Sequence, residues 1–180
     1  MLDPAVGMVI TAGLALLLLT GAWHKLRAHA EFADALAGYR LVPYALLPAC
    51  SWLLPGLEAL IAAALLVPRS RAPAVWSGCG LLLAYAGAIA INLGRGRRDL
   101  DCGCAGPNQR RPIAWWMVWR NLLLAALLGV ATLRWSARPL TFTDALTVGG
   151  ALTGAAILYH ALDLLLGQVI PRGAALRRAS

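Results

Sequence analysis

Residues 5–23 read AVGMVITAGLALLLLTGAW, an apolar segment without a single charged side chain. A helix that crosses the hydrocarbon core of a bilayer needs about 20 mainly apolar residues, so this segment predicts a membrane-spanning helix. Asp3 precedes it where a signal peptide would carry basic residues, and His24 and Lys25 follow it instead of a small-residue cleavage site. We therefore expect the segment to remain in the protein as its first span.

Four further segments of similar character follow the first one. They cover residues 44–67, 75–93, 113–133 and 145–170, and the whole 180-residue chain is 60% hydrophobic and only 13% charged. A soluble domain is far less apolar than this. The sequence therefore predicts an all-α, multi-pass protein of the plasma membrane with a single domain over residues 1–180. We expect a compact bundle of about five transmembrane helices in the lipid bilayer, with a four-helix core plus a C-terminal helix.

The chain is strongly basic, with a formal net charge of +8. In a soluble protein this charge would suggest a nucleic-acid partner, but here the basic residues flank apolar spans and no such partner is expected. If the five spans alternate, the 24–42 loop, the 94–112 loop and the tail share one side and carry most of the Lys and Arg. The positive-inside rule favours that side as cytoplasmic, although five arginines of the 94–112 loop decide the balance.

The polar 94–112 loop contains two cysteines, Cys102 and Cys104, separated by one glycine. Such a pair is a redox dithiol, a ligand pair for a soft metal such as copper or zinc, or two thiols without a chemical role. A disulfide between near neighbours is strained and easily reduced, which suits a transient carrier. A closed zinc site needs four ligands, of which this pair supplies two. The arginines beside the pair would favour the thiolate.

Several polar side chains fall inside the predicted spans, where charge is costly and usually marks a functional site. At about 1.5 Å per helical residue, Arg120 and Cys50 lie about 10 Å below the surface that carries the cysteines, and Glu58 lies near mid-membrane. Cys79 lies toward the other surface, too far away to exchange with the loop thiols. The sequence thus predicts one polar site on the cysteine side, formed by His24, Lys25, Cys50, Cys102, Cys104, Arg120, His160 and Asp163.

Three tryptophans, Trp115, Trp116 and Trp119, open the fourth predicted span on the cysteine side. Aromatic residues commonly form a belt at the membrane interface, and this is one interpretation of the cluster. The other interpretation is one wall of a site that binds a quinone or a partner protein. The tryptophans therefore frame the predicted site under either interpretation.

The remaining polar residues have structural alternatives. Glu58 and Arg120 could form a buried ion pair. His24 and Lys25 could extend from a helix end to the interface. Cys50 is either a small buried apolar side chain or a third redox thiol. Composition and spacing leave these alternatives open.

Short motifs follow one another over about residues 13–133. They are GAWHK at 21–25, then Phe32, Leu36, Tyr39 and Pro43, LPGLE at 54–58, DCGCAG at 101–106, and Arg120 with Asn121. In this order they resemble the methylamine utilisation protein MauE family, which belongs to a wider group of DoxX-like membrane proteins. Ala105 stands where that pattern leads us to expect an aromatic residue.

The resemblance implies a partner and a set of shared residues. The partner would be a thioredoxin-like protein, MauD, with which such proteins support maturation of a disulfide-rich subunit of methylamine dehydrogenase. Cys102 and Cys104 would be the exchanging thiols, and the other shared positions are Lys25, Glu58, Arg120 and Asn121. We therefore expect a membrane thiol-disulfide oxidoreductase component that uses a redox-active disulfide and is linked either to another thiol system or to a quinone. The alternatives are a protein that binds or transports a soft metal, with Cys102 and Cys104 as ligands, and a non-catalytic membrane scaffold for the partner.

Overall fold

The computed structural model describes residues 2–103, 111–133, 135–136 and 138–178, with side chains of the last helix described up to residue 165 except at 163. Within these residues the chain is helical, which confirms the predicted all-α fold. The helices are α1 Pro4–Arg27, α2 His29–Tyr39, a short 3-10 turn Tyr44–Leu46, α3 Leu47–Leu66, α4 Arg71–Gly94, α5 Trp115–Val130 and α6 Phe142–Arg178.

Four helical segments are long and apolar enough to cross a membrane: Pro4–Arg27, Tyr44–Leu66, Arg71–Gly94 and Phe142–Leu162. The fifth, Trp115–Val130, has only 16 residues and is about 24 Å long at 1.5 Å per residue. It is shorter than the span predicted over 113–133. The protein is nevertheless a multi-pass membrane protein, as the apolar segments predicted.

Helices α1, α3, α4 and α5 form the core of the bundle. Leu18, Leu65, Leu82 and Leu128 are buried in one apolar cluster that draws a side chain from each of these helices. Gly78 allows α4 to approach its neighbours closely, because a Cβ atom there would lie 2.7 Å from the Leu128 side chain. The predicted four-helix core is therefore present, and its helices are held by close apolar packing.

Helix α6 lies against the outside of this core, as expected for the C-terminal helix. It meets α1 where Leu152 lies 3.4 Å from the position of a Cβ atom on Gly13. Gly150 and Gly154 are two small residues four positions apart on α6. A Cβ atom on either would meet nothing within 4 Å among the described residues, so this pair faces away from the bundle.

Helix α2 was missed by the sequence analysis, which treated residues 24–42 as a loop. Phe32 and Tyr39 are buried, and His29 stacks on Trp52 of α3 with ring centroids 4.0 Å apart. The helix has only 11 residues and one apolar face, so it leaves no long apolar segment to detect. It lies on the side of the membrane where α4 ends and α5 begins, which we call the thiol face.

Two prolines lie in the second span without breaking it. Helix α3 continues through Pro55, which is buried inside it, and Pro48 lies in the first turn, where proline is tolerated. The irregular part is the 3-10 turn Tyr44–Leu46 before the helix. The chain therefore changes direction ahead of α3 and not within it.

On the opposite face, one arginine joins the beginnings of α1 and α6. Arg138 donates hydrogen bonds of 2.9 Å to both carboxylate oxygens of Asp3 and of 2.7 Å to both oxygens of Asp144. Asp3 also caps α1 by accepting a 2.9 Å bond from the Ala5 amide. The hydrogen-bonded Arg138 guanidinium holds the pKa of the Asp3 carboxyl below its usual value.

Candidate thiol site

A short two-stranded neck holds the ends of the cysteine loop together. The Ile113 amide donates to the Leu100 carbonyl and the Cys102 amide donates to the Arg111 carbonyl, both at 2.9 Å. Residues 104–110, including the predicted site residue Cys104, lie outside the described residues. The neck fixes the backbone of Cys102, the first cysteine of the pair.

Gly103 is required by the geometry of this loop. Its φ angle is +68°, a left-handed conformation that costs a residue with a side chain about 1–2 kcal/mol. Its amide donates a 3.2 Å bond to Asp101 Oδ1. A Cβ atom on Gly103 would lie 3.3 Å from side-chain atoms of both Phe32 and Ala35. The cysteine loop therefore rests directly on α2.

The Cys102 side chain lies between the apolar core and the protein surface. It is half-buried and packs against a cluster that includes Tyr39, Leu93, Ile113 and Met117. A thiol in this position is backed by apolar side chains on one side and reachable from the other. This is the arrangement that a thiol needs to react with a protein partner without lying loose in solvent.

A groove of about 760 Å³ opens between α2 and the neck, and Asp101, the residue before Cys102, lines it. Among the described residues, the charged side chains that line it are mostly acidic: Glu31, Asp34, Asp99 and Asp101, with Arg111 as the basic one. The five arginines of this loop predicted a basic environment for the thiols. The structure instead places several carboxylates at the same mouth.

Arg97, one of those five arginines, is used to hold α2. Its guanidinium donates to the Gly38 carbonyl at 2.7 Å, to the Tyr39 carbonyl at 3.3 Å and to Asn92 Oδ1 at 2.9 Å. The last carbonyls of a helix lack hydrogen-bond donors within the helix, and here the Arg97 guanidinium is their donor. It therefore anchors the C-terminal end of α2 to α4 and is not directed at the thiols.

Lys25 and Glu58 form a buried ion pair beneath α2. Both are almost fully buried, and Lys25 Nζ is bonded to Glu58 Oε1. The Tyr85 hydroxyl donates a 2.7 Å bond to the same oxygen. Lys25 therefore does not extend to the interface, and its charge is matched by Glu58. The alternative that paired Glu58 with Arg120 is wrong.

Phe32 connects this ion pair to the cysteine loop. Lys25 Nζ lies 5.6 Å from the centre of the Phe32 ring and 4.8 Å from that of Tyr85, distances typical of cation–π contacts. The Cδ2 atom of the same ring would lie 3.3 Å from a Cβ atom on Gly103. The contacts thus run from a charge pair inside the bundle, through α2, to the glycine between the two cysteines.

Arg120 and Asn121 lie elsewhere on α5. The Arg120 guanidinium lies 5.2 Å from the Trp116 ring centre and 6.0 Å from that of Tyr159 on α6. Asn121 is buried and donates a 3.0 Å bond to the Met117 carbonyl one turn earlier. These two residues connect α5 to its surroundings and are separate from the Lys25–Glu58 pair.

The three tryptophans do not share one surface. Trp115 and Trp119 are 51% and 68% exposed and face outward, in agreement with an interfacial belt. Trp116 packs inward against the same cluster as Cys102. Of the predicted quinone wall, Trp116 is the member that packs against the same apolar cluster as Cys102.

The remaining predicted residues are distributed as follows. Cys50 is half-buried in the first turns of α3, on the thiol face, and no described contact joins it to Cys102. His24 is half-buried in the last turn of α1, and His160 is exposed on α6. Cys79 lies nearer the opposite end of α4, as expected, with its thiol 3.4 Å from the Ala125 carbonyl.

A metal site is not evident where the structure describes the chain. No group of three or more His, Cys, Asp or Glu side chains is arranged there to hold a metal ion. The predicted alternative, metal bound by Cys102 and Cys104, depends on Cys104 and so falls outside the described residues. Chemically, the described part of the site can present one thiol at the edge of a groove.

Comparison with known proteins gives the relationship of this chain. The family model described as methylamine utilisation protein MauE matches residues 3–134. Curated proteins described as methylamine utilization protein MauE are similar over most of their length. The one from Paracoccus denitrificans is 37% identical over 169 residues, 93% of this chain and 90% of the relative. The one from Methylophilus methylotrophus is 37% identical over 167 residues, 92% of this chain and 88% of the relative.

No solved structure matches the chain. The relative from Methylorubrum extorquens is 36% identical over 167 residues, 92% of this chain and 89% of the relative. The family model covers well over half of the 180 residues, and the similarity to these relatives extends into α6. The chain therefore belongs to the methylamine utilisation protein MauE family.

Proposed function

We propose that this protein is a membrane thiol-disulfide oxidoreductase component. Cys102 and Cys104 exchange disulfides with a thioredoxin-fold, MauD-like partner, and the exchange supports maturation of disulfide-containing proteins during methylamine utilisation. The observation that carries the proposal is the position of Cys102, which is fixed by the neck, half-buried, and directly follows Asp101 in the wall of an open groove. Family membership supports the pathway, because the relatives are named for methylamine utilisation.

The exchange follows ordinary thiol chemistry in two steps. The thiolate of one cysteine attacks a disulfide of the partner, forming a mixed disulfide and releasing one partner thiolate. The second cysteine then attacks the mixed disulfide, which forms the Cys102–Cys104 disulfide and releases the other partner thiolate. Two electrons pass to the partner, and the reverse sequence passes two electrons back.

A second redox couple must regenerate the starting state of the pair. Either another dithiol or a membrane quinone supplies or accepts the two electrons. The inward packing of Trp116 against the cluster that Cys102 also contacts supports a quinone approach from the bilayer, and the location of Cys50 on the thiol face supports a third thiol. Both remain parts of the proposal.

Trapping the mixed disulfide tests the exchange. Removing the resolving cysteine blocks the second step, so Cys104→Ala or Cys102→Ala should accumulate an adduct with the thioredoxin-fold partner on nonreducing gels. Cys79→Ala is the matched control, because Cys79 lies nearer the other membrane surface and should leave the adduct pattern unchanged. Absence of an adduct from both loop variants would contradict exchange.

Two further measurements separate the alternatives. Near-stoichiometric copper or zinc in purified protein, lost on Cys102→Ser, would replace exchange with soft-metal binding. Full maturation activity in a double variant with serine at positions 102 and 104 would show that the protein acts as a non-catalytic scaffold. We expect neither result.

A further inference from the structure

A second cavity, of about 460 Å³, opens on the face opposite the thiols. It lies where α4 begins and α5 ends, and no part of the proposed exchange uses it. Its volume is within the range of ordinary ligand sites. It is lined by Pro68, Arg71, Ala72, Val75, Trp76, Ala131, Thr132, Leu133 and Trp135.

Among the described residues, Arg71 is the charged one that lines this cavity. Its guanidinium carbon lies 4.0 Å from the centre of the Trp135 ring, a close cation–π contact. Its Nε atom is buried, and no hydrogen-bond acceptor for it is found among the described residues. A buried donor without a partner is costly and requires an explanation. Arg138, on the same face, differs from Arg71 because its guanidinium binds two aspartates.

Trp135, on which Arg71 lies, is held from three directions. Its indole Nε1 donates a 3.3 Å bond to the Ala131 carbonyl. Its backbone pairs with Leu2, and the next amide, that of Ser136, donates a 2.8 Å bond to the Leu2 carbonyl. A Cβ atom on Gly7 would overlap the indole ring, so the ring lies directly on α1. The guanidinium is thus placed by a fixed platform before any ligand arrives.

The surroundings of Arg71 favour an anion with an apolar tail. Arg71 is the first residue of α4, where unpaired backbone amides and the positive end of the helix dipole attract negative charge. Trp76 is 67% exposed and Leu133 is 54% exposed, and both border the cavity on the outer surface of the bundle. A head group at Arg71 would leave acyl chains against these side chains.

We propose that this cavity is a phosphate-binding site for a membrane phospholipid. The Arg71 guanidinium donates to the phosphate oxygens, and Trp76 with Leu133 contacts the acyl chains. Free phosphate offers the same oxygen chemistry without the tail. The apolar, outward-facing border of the cavity favours the lipid as the source.

Native mass spectrometry of the full-length protein in detergent tests this site. The probes are phosphatidylglycerol, the corresponding diacylglycerol without phosphate, and inorganic phosphate. We expect one retained phosphatidylglycerol, weaker retention of diacylglycerol, and no displacement by millimolar phosphate. Arg71→Gln should raise the dissociation constant for phosphatidylglycerol about 10-fold or more, because charge-assisted hydrogen bonds are lost.

Arg69→Gln is the matched control, since Arg69 is exposed and lies only two residues away. It should bind phosphatidylglycerol like the original chain, and so should a Cys102→Ser variant, which separates this site from thiol exchange. Arg71→Lys keeps the charge with a less suitable donor geometry and should bind with intermediate affinity, even if Arg71→Gln folds poorly.

Equal retention of diacylglycerol and phosphatidylglycerol would overturn the proposal, and so would unchanged affinity in both Arg71 variants. Displacement of the lipid by inorganic phosphate would overturn the lipid as the source while keeping the phosphate chemistry.

Discussion

Gly103 shows how much a single position controls in this site. It combines a positive φ angle with close contact to Phe32 and Ala35, so this loop conformation requires a residue without a side chain at position 103. The glycine between two cysteines is visible in the sequence, but its support is not. Phe32 lies more than 60 residues earlier, and only the folded chain brings the two together.

Replacing Gly103 with alanine should displace the cysteine loop from α2. Gly96→Ala is the matched control, because Gly96 has a φ angle of +76° but open space around its Cβ position. In both variants the left-handed backbone costs about 1–2 kcal/mol. Only in Gly103→Ala does the new methyl group also contact α2. We expect a several-fold change in the rate at which a maleimide labels Cys102 in Gly103→Ala alone. Equal rates in the two variants would contradict the contact.

The Lys25–Glu58 pair should behave as a unit. Lys25→Met leaves the Glu58 carboxylate buried without its partner, which typically costs about 3–5 kcal/mol. Adding Glu58→Leu removes the unpaired buried carboxylate, so the double variant should be more stable than the sum of the two single changes predicts. Unfolding in detergent measures all four proteins, and simple additivity would show that the two side chains do not interact.

Helix α2 is the element that the sequence analysis missed and on which the site depends. Span prediction relies on long apolar segments, and these gave the other helices with boundaries about one to four residues in error, except that α6 ends at Arg178 and not at residue 170. An 11-residue helix with one apolar face produces no such segment. The motif residues Phe32, Leu36 and Tyr39 did have helical spacing, and this was the available signal.

Removing the Arg97 side chain should loosen α2 at its C-terminal end. Arg97→Gln loses charged hydrogen bonds to the Gly38 and Tyr39 carbonyls, worth about 1.5–3 kcal/mol each when buried and less here because Arg97 is partly exposed. Amide hydrogen exchange in residues 36–40 should become faster. Arg98→Gln is the control, since Arg98 is exposed, and equal protection in both variants would contradict the role of Arg97.

At the level of the whole molecule, the sequence predicted the all-α bundle, its multi-pass character and its family. The polar site was predicted as one group, but the structure separates it into Lys25 with Glu58, Arg120 with Trp116, and Cys102 on the loop. Depth along a helix can be calculated from residue number. The direction in which each side chain points depends on how the helices are rotated, which the sequence does not show.

Labelling in intact cells will show which surface carries the thiols. A role in maturing exported proteins places Cys102 outside, whereas the count of basic residues favours the cytoplasm. Arg97 is weaker evidence for a cytoplasmic location, because its guanidinium binds the Gly38 carbonyl at the end of α2. We expect a membrane-impermeant maleimide to label Cys102 in intact cells. Leu140→Cys on the opposite face, in a chain without native cysteines, should be labelled only after lysis, and the reverse pattern would contradict the maturation role.

The Arg138 clamp should make the contact between α1 and α6 sensitive to acid. The pKa of Asp3 is lowered in the folded protein, so its contribution is present above the usual aspartate value near 3.8 and is lost as the pH falls through the lowered value. Distances between spin labels at positions 6 and 146 should therefore be constant from pH 8 to 5 and increase in stronger acid. Arg138→Gln should show the longer distance at every pH, and an unchanged distance would contradict the clamp.

The shortness of α5 has a consequence for the membrane around the protein. A helix about 24 Å long is several ångströms shorter than the hydrocarbon layer of about 30 Å. Lipids beside it must compress or tilt, at a cost of fractions of a kcal/mol per ångström of mismatch. The bilayer is therefore expected to form a shallow depression next to the cysteine loop. A partner in the proposed thiol exchange would meet a thinner lipid layer there.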